Sequence, residues 1–293
     1  MPILVISNSE HSLVAEIANG ITVDFDQPEH AYATIIASIK NTAIACVLAT
    51  DDSCVELCSR VAEYLGLPQN RAGAALLTQR KDLGREALTR AGCNTPGYQV
   101  VAIDECSPAS LEIEYPVVVK PLALSASRGV IRADNDAEYT AAVKRIDAIL
   151  EATGQRGFVR EHLLVESYID GEEYAIEGFV IDGRFMLLTI FDKPEPLTGP
   201  YFEETYYLTP TRLNARQQDD LVREVANCCA AYGLEHGPVH AEARLSVSGP
   251  ILLELAARTI GGQCGQLIEF SLQQKLEELV IRCMCGLAPH ADE

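Results

Sequence analysis

The sequence contains no tryptophan and few basic residues: Lys and Arg total 23 against 42 Asp and Glu, so the formal net charge is −19. Nucleic acid is therefore not expected as a partner, because phosphate backbones are bound by basic surfaces. No apolar run approaches the roughly 18 residues of a membrane span, and we expect no membrane partner. The N-terminal segment MPILVIS lacks the basic region of a signal peptide and predicts a strand. These absences predict an acidic α/β protein of the cytoplasm.

Several catalytic and metal-binding signatures are absent as well. The six histidines form no HExxH motif, and there is no GxSxG, GxxxxGK[ST] or GxGxxG motif, which disfavours nucleophilic serine catalysis and the P-loop and Rossmann types of nucleotide site. Ten cysteines are present, but those closest in sequence lack the spacing of paired zinc ligands: Cys54 and Cys58, Cys228 and Cys229, Cys283 and Cys285. We expect reduced thiols, mostly in the core.

The 293 residues are enough for two domains at about 150 residues each. Residues 1–92 alternate short apolar runs with helical patterns, which predicts an α/β domain with a parallel sheet. Its strands are expected at 3–7 and at 43–50 (AIACVLAT), and its helices at 32–40, 53–65 and 81–91.

Residues 93–293 have a different pattern, in which strands outnumber helices. The dipeptide Asp182-Gly183 between two apolar runs predicts a β-hairpin, and a second hairpin is expected near the C-terminal end. This pattern predicts an α+β domain with antiparallel sheets, made of a small subdomain at about 108–168 and a large subdomain at about 169–293. The expected helices are 136–153, 215–232 and 267–285, and the first strands are 116–120 and 163–169.

The segment 239–258 (VHAEARLSVSGPILLELAAR) predicts a hairpin that turns at 248–250. If every second residue on either side of the turn is assigned to the same face, one face has only apolar residues, including Ile251 and Leu253. The opposite face carries the charged side chains, which are His240, Glu242, Arg244, Glu254 and Arg258. The hairpin is therefore the first candidate for a functional site.

A three-residue loop at 247–249 would place Glu242 directly opposite Glu254, with the two backbones about 5 Å apart. Like charges in this position are unfavourable unless a cation lies between them, and magnesium is the natural candidate. The alternative is a solvent-exposed sheet face on which Arg244 and Arg258 neutralise the carboxylates. The sequence pattern alone leaves both interpretations open.

Lys120 follows three valines at the end of a predicted buried strand, and a loop of small residues comes next (123–129, ALSASRG). A cation followed by such a loop suits phosphate binding by one ammonium group and backbone N–H groups. The alternative is a strand-end lysine that extends into water.

Glu166 and Glu173 flank a predicted turn (VESYIDGEE). An exposed strand end can bind an adenine through its main chain, and a carboxylate can accept hydrogen bonds from a ribose. The alternative is an ordinary acidic turn. Lys81 likewise suits either a ligand contact or the exposed start of a helix.

Taken in order, four segments resemble the ATP-grasp superfamily over nearly the whole chain: RKDLGREALTRAGCNTP, YPVVVKPLALSASRGV, LLVESYIDGEEYAIEGFVIDG, and GPVHAEARL followed by ILLELAARTIGG. Many members carry Glu-x-Asn-x-Arg in the last of these segments. Here Ala256 replaces the asparagine between Glu254 and Arg258. This variant resembles the branch of L-amino acid ligases and other carboxylate–amine ligases.

The resemblance implies a role for each candidate residue. It implies catalytic roles for Arg258 and Lys120, with Arg258 on the transferring phosphate or acyl phosphate. It implies magnesium binding by Glu242 and Glu254, with Mn²⁺ as an alternative ion. It implies ATP binding by Lys81, Lys120 and Ser127, by Glu166, Ser167 and Ile169 at an adenine-binding hinge, and by Glu173 at the ribose.

The activity implied is an ATP-dependent, magnesium-dependent carboxylate–amine ligase that forms an amide or peptide bond through an acyl phosphate. The partners would be small-molecule carboxylate and amine substrates, with an amino acid as one candidate, and a homodimer stays open. The alternatives are a biotin-carboxylase-like or purine-pathway ATP-grasp enzyme, and an ATP-binding module without turnover. The resemblance also leaves open whether a further C-terminal segment belongs to the protein.

Overall fold

The computed structural model describes residues 3–8, 19–203 and 205–287. The N-terminal part begins with two parallel strands, in which Leu4 pairs with Asn19. Four helices follow, and glycines in the left-handed conformation close two of them: Gly66 at φ +66° and Gly92 at φ +75°. The elements are β1 (Leu4–Ser7), β2 (Asn19–Thr22), α1 (Pro28–Ile39), α2 (Val55–Leu65), α3 (Ala72–Gln79) and α4 (Lys81–Ala91).

The predicted strand at 43–50 is wrong. The segment forms no ladder, and its residues alternate between exposed and half-buried, although Val47 and Ala49 pack at the margins of two cores. The partner of β1 is instead the segment NGIT of β2, which has no apolar pattern that would reveal it. An apolar run indicates burial, but a strand also needs a partner with unpaired backbone groups. Helix α1 likewise begins at Pro28, before the predicted start at residue 32.

The next part is a four-stranded sheet, called the small sheet below, with all its pairs antiparallel in the order β3-β6-β4-β5. A long helix covers one face. Asn135 caps this helix by accepting hydrogen bonds from the backbone N–H groups of Ala137 and Glu138. The elements are β3 (Tyr98–Ala102), β4 (Val117–Pro121), β5 (Ile131–Ala133), α5 (Asp136–Ala152), the short α6 (Phe158–Glu161) and β6 (His162–Ser167).

The outer edge of β5 is covered by a loop from the next part of the chain. The backbone N–H of Arg132 donates to the carbonyl of Pro200 at 2.9 Å, and Ile131 forms a bridge with Tyr201. The short third strand of the small sheet therefore has partners on both sides.

The last part is a second antiparallel sheet, the large sheet, in the order β10-β9-β7-β8. One face packs on α7 and the other on α8 and α9. The single helix predicted at 267–285 is two helices, because Gln273 takes a left-handed conformation between them at φ +57°. The elements are β7 (Glu172–Ile181), β8 (Arg184–Lys193), α7 (Ala215–Tyr232), β9 (Gly237–Ser246), β10 (Gly249–Ala256), α8 (Cys264–Leu272) and α9 (Leu276–Met284).

The fold class predicted from the sequence is confirmed: a parallel sheet with helices comes first, and antiparallel sheets with helices follow. The ten cysteines all lie in the described ranges and none of them forms a disulfide, but only five are buried, fewer than the expected majority. No helix in the described ranges combines the length and the apolar character needed to cross a bilayer.

Candidate active site

The hairpin β9–β10 places Glu242 and Glu254 directly opposite each other, as the two-residue period predicted. The loop length and the strand pairing between them differ from the prediction. Ser246 pairs with Gly249, so the loop has two residues rather than three, and a bulge between Leu252 and Glu254 restores the register. The two carboxylate side chains therefore start from directly paired positions on neighbouring strands.

The bulge also changes which side chains enter the core. The alternation assigned Ile251 and Leu253 to the apolar face, but both are only half-buried. Leu252 takes that place, fully buried in the cluster that includes Ala243 and Leu255. An inserted residue reverses the alternation on one side of the bulge, so this part of the prediction is wrong.

The polar side chains of the large sheet share one face because of its register. Glu173 on β7 lies between Lys193 of β8 and Arg244 of β9. Two residues further along β7, Ala175 pairs with Glu242, and Glu177 then pairs with His240. Alternating positions of three strands thus place acids and bases side by side.

Glu242 is held by two basic groups. Its Oε1 lies 2.8 Å from Lys193 Nζ and 3.5 Å from His240 Nε2. Burial alone would raise the pKa of Glu242, but the charges of Lys193 and His240 hold it well below 4.5. Burial would lower the pKa of His240, but its contact with Glu177 raises the value to about 10. Glu242 is therefore ionised and His240 is charged at neutral pH.

Glu254 contacts a different cation. Its Oε1 lies 3.2 Å from Nζ of Lys81, at the start of α4, and the same ammonium donates to the carbonyl of Leu124 at 2.9 Å. Lys81 thus joins the carboxylate on β10 to the loop that follows β4. The alternative in which Arg244 and Arg258 neutralise the two carboxylates is wrong, because lysines and a histidine contact them.

Glu166 on β6 is the centre of a buried ion cluster. Lys120 Nζ lies 2.6 Å from one oxygen, and Arg85 Nε lies 2.6 Å from the other. Burial would raise the pKa of Glu166, but these two cations lower it to about 2. Lys120 is 7% exposed, so it does not extend into water from its strand end. The buried strand predicted before Lys120 is present as β4, which continues to Pro121 and so includes Lys120. The predicted phosphate contact of Lys120 stays a prediction.

Arg85 was not predicted, and it connects the two sheets. Besides Glu166, it donates to the carbonyl of Leu253, the residue at the bulge before Glu254. Lys81 and Arg85 are four residues apart on α4 and therefore share one helix face. That spacing is the signal from which Arg85 could have been found.

Gly84 lets α4 lie close to α7. A Cβ atom at this position would lie 2.2 Å from the Tyr232 hydroxyl oxygen, so a glycine is required for the approach. The position of Lys81 and Arg85 thus depends on a contact in which the Tyr232 side chain of α7 packs directly against the backbone of α4.

Arg258 follows the end of β10 and forms a two-point ion pair with Asp52. The Nε–Oδ1 and Nη2–Oδ2 distances are 2.8 and 2.7 Å, and Nη1 donates to the carbonyl of Thr259 at 2.9 Å. Asp52 belongs to the N-terminal part of the chain, 206 residues away in sequence, and no motif indicated it. A planar guanidinium held at three donors is fixed in direction.

Of the predicted hinge residues, Glu166 and Ser167 end β6, and Ile169 lies in the loop that leads to β7. The N–H of Ser167 donates to the carbonyl of Gly97 at 2.8 Å, and the carbonyl of Ile169 accepts from Arg244 at 2.6 Å. Glu173 accepts from Lys193 at 2.8 Å and from Arg244 at 2.9 Å. Because Lys193 also contacts Glu242, it links the predicted ribose carboxylate to the predicted metal carboxylate.

Ser127 lies away from these ion pairs. It is exposed in the loop after β4, has φ +51°, and lines a cavity of about 610 Å³. A second cavity of about 710 Å³ lies nearby, along α5 and the loop that covers β5. None of the clustered carboxylates lines either cavity.

The arrangement suits a hard divalent cation. Glu242 and Glu254 offer carboxylate oxygens from facing positions, and their side chains stay 19% and 29% exposed. Mg²⁺ takes oxygen ligands and keeps several waters, which requires this type of partly open site. The residues present therefore fit the ion that the paired carboxylates indicate.

Comparison with known proteins identifies related chains. The sequence is 25% identical over 240 residues to dapdiamide A synthase of Enterobacter agglomerans, covering 80% of this chain and 55% of that protein. It is 25% identical over 279 residues to alanine–anticapsin ligase of Bacillus subtilis, covering 89% and 58%. The chain thus spans little more than half of these relatives.

Solved structures show the same fold. An L-amino acid ligase from Bacillus licheniformis superposes with a TM-score of 0.75 at 26% identity, covering 90% of this chain and 62% of that one. A phosphoribosylglycinamide synthetase from Anaerococcus prevotii, at 17% identity and a TM-score of 0.70 over 98% and 70% of the two chains, shares the fold. A sequence model of the ATP-grasp domain matches residues 113–266, more than half of this chain. The chain belongs to the ATP-grasp family.

Proposed function

We propose that this chain carries the catalytic core of an ATP-dependent carboxylate–amine ligase, which forms an amide or peptide bond through an acyl phosphate and releases ADP and phosphate. The observation that carries the proposal is the opposed pair Glu242 and Glu254 on a sheet face rich in cations. The names of the relatives support amide-bond formation, because they include alanine–anticapsin ligase and an L-amino acid ligase.

The nucleotide would lie between the small and the large sheet. We assign its phosphates to Lys81 and Lys120, which form ion pairs with Glu254 and Glu166. Glu173, partnered by Lys193, is assigned to the ribose. The adenine is assigned to the hinge, through Glu166, Ser167 and Ile169, and Ser127 is assigned to the covering loop.

Glu242 and Glu254 would hold Mg²⁺, with Mn²⁺ as an alternative. The ion supplies charge neutralisation for phosphoryl transfer. The protein's own contribution is to keep Glu242 ionised, because the charges of Lys193 and His240 hold its pKa well below 4.5.

Arg258 and Lys120 are the proposed catalytic cations. Phosphoryl transfer needs positioning and charge stabilisation more than covalent help from the protein. The two-point pair with Asp52 aims the Arg258 guanidinium, and the pair with Glu166 does the same for the Lys120 ammonium. We assign no general base.

The substrates are proposed to be a small-molecule carboxylate and an amine, with an amino acid as the first carboxylate to test. We place the reaction in the cytoplasm, where ATP is available and the free thiols would stay reduced. We also propose that the chain divides into an N-terminal domain, 1–92, and an ATP-grasp domain, 93–293. A homodimer is tested by light scattering on the purified chain.

The direct test measures ADP release with a panel of amino acids and other carboxylates, with hydroxylamine as the amine. An acyl phosphate reacts with hydroxylamine to give a hydroxamate, so we expect one hydroxamate for each ADP. Glu242→Gln and Glu254→Gln should abolish both products while circular dichroism stays unchanged, because each removes one carboxylate of the pair.

The other outcomes separate the alternatives. ADP release that depends on bicarbonate, without hydroxamate, would replace the ligase by a carboxylase. ATP binding without ADP release for any substrate would indicate a binding module. Unchanged turnover in both carboxylate variants would contradict the metal assignment.

A further inference from the structure

Three side chains of metal-ligating types meet near the C-terminal end of α4, and none of them belongs to the candidate active site. Cys93 follows Gly92, the glycine that ends α4, and Glu224 and Cys228 lie on consecutive turns of α7. One ligand atom of each residue lies within 4.8 Å of those of the other two. The residues on α7 are four positions apart and so share one helix face. This is the one group of three such ligands in the described part of the chain.

Among the described residues, no basic side chain pairs with the carboxyl group of this cluster. Glu224 is 9% exposed, and within the described ranges it forms no ion pair with Lys, Arg or His. Its contacts are the backbone N–H of Asn94 at 2.7 Å and the thiol of Cys228 at 3.9 Å. A buried carboxylate without a cation is costly, so a bound cation would stabilise this arrangement.

The donor set and the spacing match a tetrahedral zinc site. Zn–S and Zn–O bonds of about 2.3 and 2.0 Å at a tetrahedral angle put sulfur and oxygen about 3.5 Å apart. The observed Cys228 Sγ–Glu224 Oε1 distance of 3.9 Å is close to this value. Thiolates favour zinc over magnesium, which takes oxygen ligands. Cys93 is only half-buried and provides a path from solvent.

We propose that Cys93, Glu224 and Cys228 form a binding site for Zn²⁺ or a cation of the same class, separate from the carboxylate pair on the large sheet. Binding would release the two thiol protons, because the ligand is the thiolate. Three protein ligands leave a fourth position for water on the side of Cys93.

The site would fix the position of α4. Cys93 is the residue after its glycine end, and the carbonyl of the next residue, Asn94, accepts from the N–H of Leu252 at 3.1 Å. Leu252 precedes the bulge that carries Glu254 into register. A cation here would therefore connect α4, α7 and β10, the elements that position Lys81 and Glu254. The inference does not depend on the proposed ligase activity.

The test uses the whole chain, reduced and stripped of metal. Zn²⁺ binding is measured by competition with a chromophoric chelator, and Co²⁺ is added separately to detect thiolate charge-transfer absorption. We expect one equivalent to bind with that absorption, and Cys93→Ser and Glu224→Gln to weaken Zn²⁺ binding at least about tenfold. Cys93 is half-buried and Gln keeps an acceptor for Asn94, so both variants should fold.

Two matched controls make the result specific. Cys106→Ser removes another half-buried thiol, and Glu242→Gln alters the proposed magnesium site; neither should change the Co²⁺ absorption. Zn²⁺ binding of equal affinity in Cys93→Ser and the parent would overturn the proposal. So would the absence of binding in the parent, or its loss only in Glu242→Gln.

Discussion

Replacement of Glu166 by glutamine is the sharpest test of the buried ion cluster. Glu166→Gln keeps the shape of the side chain but leaves Arg85 and Lys120 without a counter-charge. Glutamine also mimics the protonated acid. The variant should therefore be less stable than the parent at neutral pH, and the difference should disappear where Glu166 itself becomes protonated.

The magnitude follows from the two pKa values. The pKa of Glu166 is about 2 in the folded chain against 4.5 as the ordinary value. Because the folded value is the lower one, the stabilisation is fully present above pH 4.5 and is lost as the pH falls toward 2. At about 1.4 kcal/mol for each pH unit between them, the carboxylate contributes about 3 kcal/mol at neutral pH. Less than half of this should remain at about pH 3.

The assay is urea unfolding followed by far-ultraviolet circular dichroism from about pH 7 to about pH 3. A chain of this length can unfold in steps, so the transition that responds to the substitution is assigned by hydrogen exchange of β4 and β6. Glu151→Gln is the control, because it removes a carboxylate that is exposed on α5 rather than buried. A stability difference for Glu166→Gln that stays constant over the whole pH range would refute the reasoning.

Three further changes test other contacts. Asp52→Asn should lower kcat for ATP turnover about tenfold with little change in KM, because it removes an ionic partner that fixes the Arg258 guanidinium. An unchanged kcat in ADP-release assays would contradict a role of Asp52 in orienting Arg258. Gly84→Ala should lower the free energy of unfolding in urea by about 1–3 kcal/mol, and adding Tyr232→Phe to this variant should restore part of that stability. An unchanged free energy of unfolding in Gly84→Ala would contradict the close helix contact. Lys120→Ala should weaken ATP binding about tenfold to a hundredfold in titration calorimetry, and an equal affinity would argue against a phosphate contact.

The sequence predicted the position of the paired carboxylates better than the path of the backbone between them. Glu242 and Glu254 face each other because a shorter loop and a bulge at Leu253 compensate. Loop length and bulges both change the register by one residue, and an alternating pattern does not distinguish them. The hairpin at Asp182-Gly183 was predictable because its turn type requires those residues.

The partners of the charged residues could not be predicted. Arg85, Lys193 and Asp52 come from segments that meet the carboxylates only after the sheets and helices pack. Periodicity shows which face a side chain occupies, but it does not show what lies across a gap between two elements. The strand expected at 43–50 failed for the same reason, because its apolar pattern does not identify a pairing partner.

The loop that covers β5 has a consequence for how the protein behaves at high concentration. An uncovered strand edge is a template on which strands of other copies can add, and aggregation follows. Here β5 has only three residues, and Pro200 and Tyr201 occupy its outer side. Shortening this loop to open the neighbouring cavities would expose the backbone of β5, so engineering of these cavities should leave the contacts of Pro200 and Tyr201 in place.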